Sequence, residues 1–251
     1  MLDEGLLKSL SGHLSELQRV LFRSIIATLI TSVAAFCFAT PLFKLLMRPY
    51  SSFTQHQSVI IQSLDPSETF SISMQIALIV GLVLASPIII RELWWFVSPG
   101  LKQKERRYIS SAFLFGLLLF AAGVMMAYSV VLPVSLRFFW DYSLGLGVTP
   151  AWSIDNYFNF VLTTLLAFGI AFELPIVTTL LTYMHILTAE MLSKGRRYAI
   201  FAIVALAAIL TPDMISLALM AAPMLGLYEL AIVLSKWVGR RQTVLDATET
   251  S

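Results

Sequence analysis

Three observations predict an all-α protein that spans a membrane. Hydrophobic residues make up 58% of the chain, charged residues 13%, and the mean hydropathy is +0.82, so a soluble fold would leave large apolar areas in water. Apolar runs long enough to cross a bilayer as helices recur between charged or turn-forming segments. Basic residues, finally, crowd into alternate loops.

The amino-terminal segment is predicted to be an amphipathic helix on the inner membrane surface, because Leu6, Leu7, Leu10, Leu14 and Leu17 recur at helix spacing while Lys8, Ser11, Ser15 and Gln18 take other faces. Asp3 and Glu4 precede the basic residues, and no small-residue cleavage pattern follows the first span, so a cleaved signal peptide is not expected. The first span runs from Val20 to Phe43 and holds the single cysteine, Cys37, which excludes an intrachain disulfide or a cysteine metal cluster. An outer loop from Lys44 to Thr69, with Pro49, Pro66, Val59, Ile60 and Ile61, is expected to pack as a small cap.

The second span, Phe70 to Val97, ends at Pro99 and Gly100 in a short inner loop where Glu105 stands among basic residues. The third, Ile109 to Leu132, leads to an outer loop from Pro133 to Asn156 whose Trp140 and Trp152 suit the membrane interface. The fourth is Tyr157 to Met184. A fifth, Tyr198 to Leu210, would rise only about 20 Å against a hydrocarbon core of about 30 Å. Pro212 disfavours helical geometry at Thr211, and Asp213 is a reasonable N-cap, so a turn joins this short helix to a sixth, Met214 to Leu234. Residues 1–241 are expected to form one membrane domain, with 242–251 a disordered tail.

With the amino terminus inside, all of the 17 Lys and Arg residues except Lys44, Arg48 and Arg137 fall on the cytoplasmic side. Six spans return the carboxyl terminus to the same side.

Glu173 is the first candidate functional residue. It sits in the otherwise uncharged run from Tyr157 to Met184, where insertion of an acidic residue at mid-bilayer costs roughly 2.5 to 3.5 kcal/mol. Pro175 cannot donate to the carbonyl of Ala171, so a kink and a polar pocket are expected there. The packing alternative is a protonated Glu173 bonded to a neighbouring helix. Glu16, where the amphipathic helix meets the first span, is either a surface carboxylate paired with Arg19 or a ligand-facing one. Glu105 is either neutralised by Lys102 and Arg106 or free to capture a guanidinium by charge-assisted hydrogen bonds.

Common enzyme chemistries are missing. There is no phosphate-binding loop ending in Lys-Ser or Lys-Thr, no His-Glu-x-x-His and no Gly-x-Ser-x-Gly; His13, His56 and His185 lie in separate segments. No cofactor or metal is expected. Lys104-Glu-Arg-Arg-Tyr and Lys194-Gly-Arg-Arg-Tyr hint at an internal repeat, a pattern that basic loop ends also produce unaided.

Five strings occur in order: His13-Leu-Ser-Glu-Leu, Phe96-Val-Ser-Pro-Gly-Leu with Glu105-Arg-Arg, Phe172-Glu-Leu-Pro, Thr211-Pro-Asp, and Pro223 followed by Leu227-Tyr-Glu. Together they resemble the TatC family, the receptor of the twin-arginine protein translocase. The resemblance implies six helices in a concave, glove-like arrangement in the bacterial inner membrane, both termini cytoplasmic, and a non-enzymatic receptor in proton-motive-force-driven export of folded proteins. It implies that Glu16 and Glu105 accept the two guanidinium groups of a signal peptide, with Phe96, Pro99 and Leu101 shaping the adjoining surface. Glu173 and Pro175 would line the concavity, and Thr211, Pro212 and Asp213 would lie where the single-span partners TatA and TatB dock, in a complex with self-association. The chain departs from the family's pattern at Gln18-Arg19-Val20, where arginine usually follows the Glu-Leu pair directly. Without the resemblance, the residues also admit a proton-coupled solute transporter using Glu173.

Overall fold

The computed structural model describes residues 2–51, 61–97, 106–183, 186–210 and 214–249. Their helices are α1 (Leu2–Cys37), α2 (Ala39–Leu46), α3 (Arg48–Ser51), α4 (Glu68–Val97), α5 (Arg106–Met126), α6 (Leu132–Gly145), α7 (Ile154–Phe172), α8 (Leu174–Tyr183), α9 (Ala189–Lys194), α10 (Arg196–Leu210) and α11 (Met214–Glu249). Five helical stretches among the described residues are long and apolar enough to cross a membrane: Ser15–Cys37, Glu68–Phe96, Phe113–Gly145, Ile154–Thr182 and Leu217–Trp237. Helix α10, at 15 residues, rises about 22 Å and is the short element that the sequence leads one to expect.

Prolines set several boundaries. The first span stops at Cys37 rather than Phe43 because Pro41 cannot donate to the Cys37 carbonyl, and a new helix starts at Ala39. The amphipathic amino-terminal segment is not a separate element: no proline interrupts it, and α1 runs unbroken from Leu2.

The third span corrects the expected loop at Pro133. There the chain widens into a π-helical turn, Ala127–Val131, in which the Leu132 N–H donates to the Ala127 carbonyl five residues back. That spacing relieves the clash between a helical proline and the carbonyl four residues earlier, so α6 continues to Gly145. Similarly, α11 carries Pro223 within it and continues past Arg241 to Glu249, through the segment where a tail is expected.

Two compact units emerge. One comprises residues 1–45 and 69–117, and the other residues 46–68 and 118–251. In the first, α1 and α4 meet where Gly81 leaves no room for a side chain: a Cβ there would lie 2.6 Å from the Ser32 Cα. The Thr31 hydroxyl donates to the Gly81 carbonyl at 2.7 Å. Small residues that let backbones approach, with a hydroxyl bridging them, suit a lipid setting where burial of apolar surface gives helices no reason to associate.

The second unit repeats the device between α5 and α7. A Cβ on Gly123 would lie 2.6 Å from the Phe168 carbonyl oxygen, and one on Gly169 would lie 2.8 Å from the Phe120 ring. Phe158, Phe168, Val161 and Thr164 of α7 are fully buried, and α8 packs along α11, where Thr182 donates to Ser235 at 3.0 Å.

The outer loops of this unit form a small structured cap. Ile61–Gln62 and Trp152–Ser153 pair as short parallel strands. Glu68 ties them down: one carboxylate oxygen accepts from the Ser153 hydroxyl at 2.7 Å and the Asp155 N–H at 3.0 Å, the other from the Leu64 N–H at 2.6 Å and the Ser63 hydroxyl at 3.0 Å. Beside it, the Ser67 hydroxyl and N–H hold the Asp65 carboxyl below its usual range. Tyr157 donates to the Leu46 carbonyl at 2.7 Å, and its ring and that of Trp152 each lie 5.6 Å from Tyr50. Trp140 is buried against Trp152 at 6.1 Å, within the unit's own aromatic cluster.

The glycines give a direct test of this packing. Gly123→Ala forces its Cβ onto backbone and costs about 1 to 3 kcal/mol, whereas Gly226→Ala, with nothing within 4 Å, gains about 0.5 to 1 kcal/mol from helix propensity. Thermal unfolding in detergent should therefore show shifts of opposite sign.

Candidate functional site

In the first unit, the end of the α1–α4 pair that carries Glu16 and Phe96 concentrates charge at the edge of two apolar segments. Glu16 is exposed one residue inside the start of the first span, and Phe96 is half-buried at the end of the second. Glu105, Pro99 and Leu101 lie outside the described residues.

Between those positions the sequence reading missed a pair. Arg23 on α1 donates to Glu92 on α4 at 3.2 Å, and the two side chains are 62% and 11% exposed. The partners are unequal. Arg23 is exposed with or without Glu92, whereas Glu92 is buried and depends on the guanidinium, so the pair's value lies mainly in removing the cost of an unpaired carboxylate. The argument that singles out Glu173, one carboxylate near the middle of an uncharged run, does not reach Glu92, which lies near the end of Phe70 to Val97 directly after Arg91. Arg91 and Trp95 join these two around a pocket of about 290 Å³.

Glu173 belongs to the second unit and stands at the interruption between α7 and α8. The expected break at Pro175 is present. Glu173 caps α7, its N–H donating to Ile170 at 3.1 Å, and its own carbonyl accepts from Ile176 and Val177 at 3.1 and 3.0 Å. One carboxylate oxygen, Oε1, is buried with no hydrogen-bond partner. Pro175 is buried beside it, and the hydroxyls of Thr178, Thr179 and Thr182 all bond back to carbonyls of their own helix, at 2.8, 2.6 and 2.9 Å, and so are not offered to Glu173.

At the far side of the same unit, Arg196 donates to Glu229 at 2.8 Å and Tyr228 to the Leu192 carbonyl at 2.8 Å, which fastens α9 and the start of α10 to α11. The Tyr-Glu of the sequence string thus has a structural use. Thr211, Pro212 and Asp213 lie outside the described residues. Among the described residues, no group of His, Cys, Asp and Glu is placed to hold a metal ion.

A family model described as Sec-independent protein translocase protein (TatC) matches residues 12–223, most of the chain and all the positions just discussed except Tyr228 and Glu229. The chain belongs to the TatC family. Among curated relatives, a Sec-independent protein translocase protein TatC of Aquifex aeolicus is 40% identical over 238 residues, covering 93% of this chain and 97% of its own length. A TatCy of Bacillus subtilis is 33% identical over 242 residues, 96% of this chain and 94% of its own. A crystal structure described as twin arginine translocase receptor TatC superposes with a TM-score of 0.82 at 40% identity, covering 90% of this chain and 99% of that one. This TatC chain is therefore a multi-helix membrane protein and a translocase component, of a family that is not enzymatic.

The isolated Oε1 of Glu173 generates a stability prediction. A buried acceptor without a donor contributes nothing to the fold, and replacing it by an apolar group of similar size is neutral or stabilising. Glu173→Leu should keep or raise the Tm in detergent; a fall of several degrees would show that the carboxyl is held by the protein itself.

Proposed function

We propose that this chain is the core receptor subunit of a twin-arginine translocase, binding the paired arginines of signal peptides on folded proteins at the cytoplasmic face of the bacterial inner membrane. The observation that carries the reading is the 40% identity, over nearly the full length of both chains, to a protein whose crystal structure is described as the twin arginine translocase receptor. The basic-residue bias supports six crossings with both termini cytoplasmic, α10 being the short fifth. Residues 1–241 act as one membrane domain in this reading.

Glu16 and Glu105 accept the two guanidinium groups, and Phe96, Pro99 and Leu101 shape the surface around them. Support comes from Glu16 lying exposed where an apolar segment begins, since a carboxylate near low-dielectric lipid attracts arginine more strongly than one in open water. Glu173 and Pro175 receive the peptide's apolar segment or a partner helix, a role that suits the unpartnered Oε1. The turn at Thr211, Pro212 and Asp213 docks TatA and TatB, several receptor copies associate, and the proton-motive force drives transport. No observation favours the solute-transporter alternative over the family match.

The test is photo-crosslinking of a twin-arginine signal peptide to the receptor in membranes. Loss of a charge-assisted hydrogen bond of about 1.5 to 3 kcal/mol should weaken binding about tenfold to a hundredfold in Glu16→Gln and in Glu105→Gln, with insertion unaffected. Wild-type crosslinking in both variants would remove these residues from the site. For Glu173, transport should survive Glu173→Gln better than Glu173→Leu, because the amide keeps an acceptor and adds a donor; equal loss in both would contradict a hydrogen-bonding role.

A further inference from the structure

We propose that the pocket between Arg23 and Arg91 is a binding site for the phosphate of an anionic phospholipid, a site separate from the peptide-binding residues named above. Its sign comes first. Among the described residues the pocket is lined by two guanidinium groups, one carboxylate and an indole: Arg23, Arg91, Glu92 and Trp95. Glu92 is already bonded to Arg23 at 3.2 Å, so it does not neutralise Arg91. Arg91 is exposed and makes no hydrogen bond or ion pair among the described residues. A cation entering the pocket would meet net positive charge. An anion would meet one unpaired guanidinium and a second one held in place by Glu92, and the planar arginine fork matches phosphate oxygens.

The source of the anion follows from what continues along α4. Leu84, Ile88, Arg91 and Trp95 recur at intervals of four, three and four, which puts them on one stripe of the helix. The three apolar members are 56%, 42% and 65% exposed, and the charged one is exposed as well. An apolar track leading to a guanidinium, closed by a tryptophan near the helix end, has the order of a phospholipid: acyl chain, phosphate, interface. A soluble phosphate would need the Arg91 end alone and gives no reason for Leu84 and Ile88. Glu92 then acts as a positioning residue, fixing Arg23 at the mouth of the pocket.

The experiment measures lipid retention by the purified full-length receptor in detergent, using native mass spectrometry. Phosphatidylglycerol is titrated in parallel with phosphatidylcholine, which has a phosphate but no net negative charge, and with inorganic phosphate as competitor. Wild type should retain phosphatidylglycerol over phosphatidylcholine, and Arg91→Gln should retain about fivefold less of it, the expected effect of one basic residue at a lipid surface. Arg91 makes no bond to lose among the described residues, so the Tm of Arg91→Gln should be unchanged. Trp95→Ala should also lower retention, whereas a site for soluble phosphate would not sense it. The double variant Arg23→Gln/Glu92→Gln, which leaves the net charge unchanged but removes one guanidinium fork, should weaken phosphatidylglycerol binding too. Equal retention of the two lipids by wild type, or undiminished phosphatidylglycerol in Arg91→Gln, would overturn the site. Displacement by excess inorganic phosphate, with Trp95→Ala unaffected, would overturn the lipid assignment.

Discussion

Polar groups in the apolar segments of this chain are costly without partners, and that cost shapes both the backbone and the charged sites. Prolines expose it most clearly. Each removes a donor from a helix, and the chain answers differently at each: a stop after Cys37, a π-helical turn before Pro133, an interruption at Glu173 before Pro175. Hydroxyls obey the same rule, with Thr31 reaching the Gly81 carbonyl and Thr182 reaching Ser235. The glycines at 81, 123 and 169 make such reach possible by letting helices approach to backbone contact.

Against that background Glu92 and Glu173 differ in kind. Glu92 is buried and satisfied by Arg23, a pair complete within the first unit. Glu173 is half-buried in the second, at a helix break, with one oxygen unpartnered although three threonine hydroxyls line the helix beside it. The first arrangement holds two helices together; the second leaves a bond to be made.

The helices and their apolar character were legible because a bilayer imposes length and composition directly on sequence. The break at Pro175 and the shortness of α10 could be read for the same reason. Three features could not. The continuation of α6 past Pro133 depends on a π-helical turn, which has no marker in the residues themselves. The burial of Trp140 involves Trp152, which in turn packs on Tyr50, far earlier in the chain. The Arg23–Glu92 pair joins residues 69 apart, and its two halves read singly as one more inside-facing arginine and one more loop-end carboxylate. Glu16, Glu105 and Glu173 drew attention as isolated acids, but the roles assigned to the first two came from the order of five strings, not from their own surroundings.

The central claim is that carboxylates at the membrane edge read guanidinium groups by geometry as well as charge. The most direct measurement is the affinity of the wild-type receptor, in membranes, for two signal peptides that differ only in carrying Arg-Arg or Lys-Lys. Bidentate recognition predicts that the Arg-Arg peptide binds and the Lys-Lys peptide, with the same net charge, binds at least about tenfold more weakly. Equal affinity would contradict the account and reduce the site to a patch of negative charge.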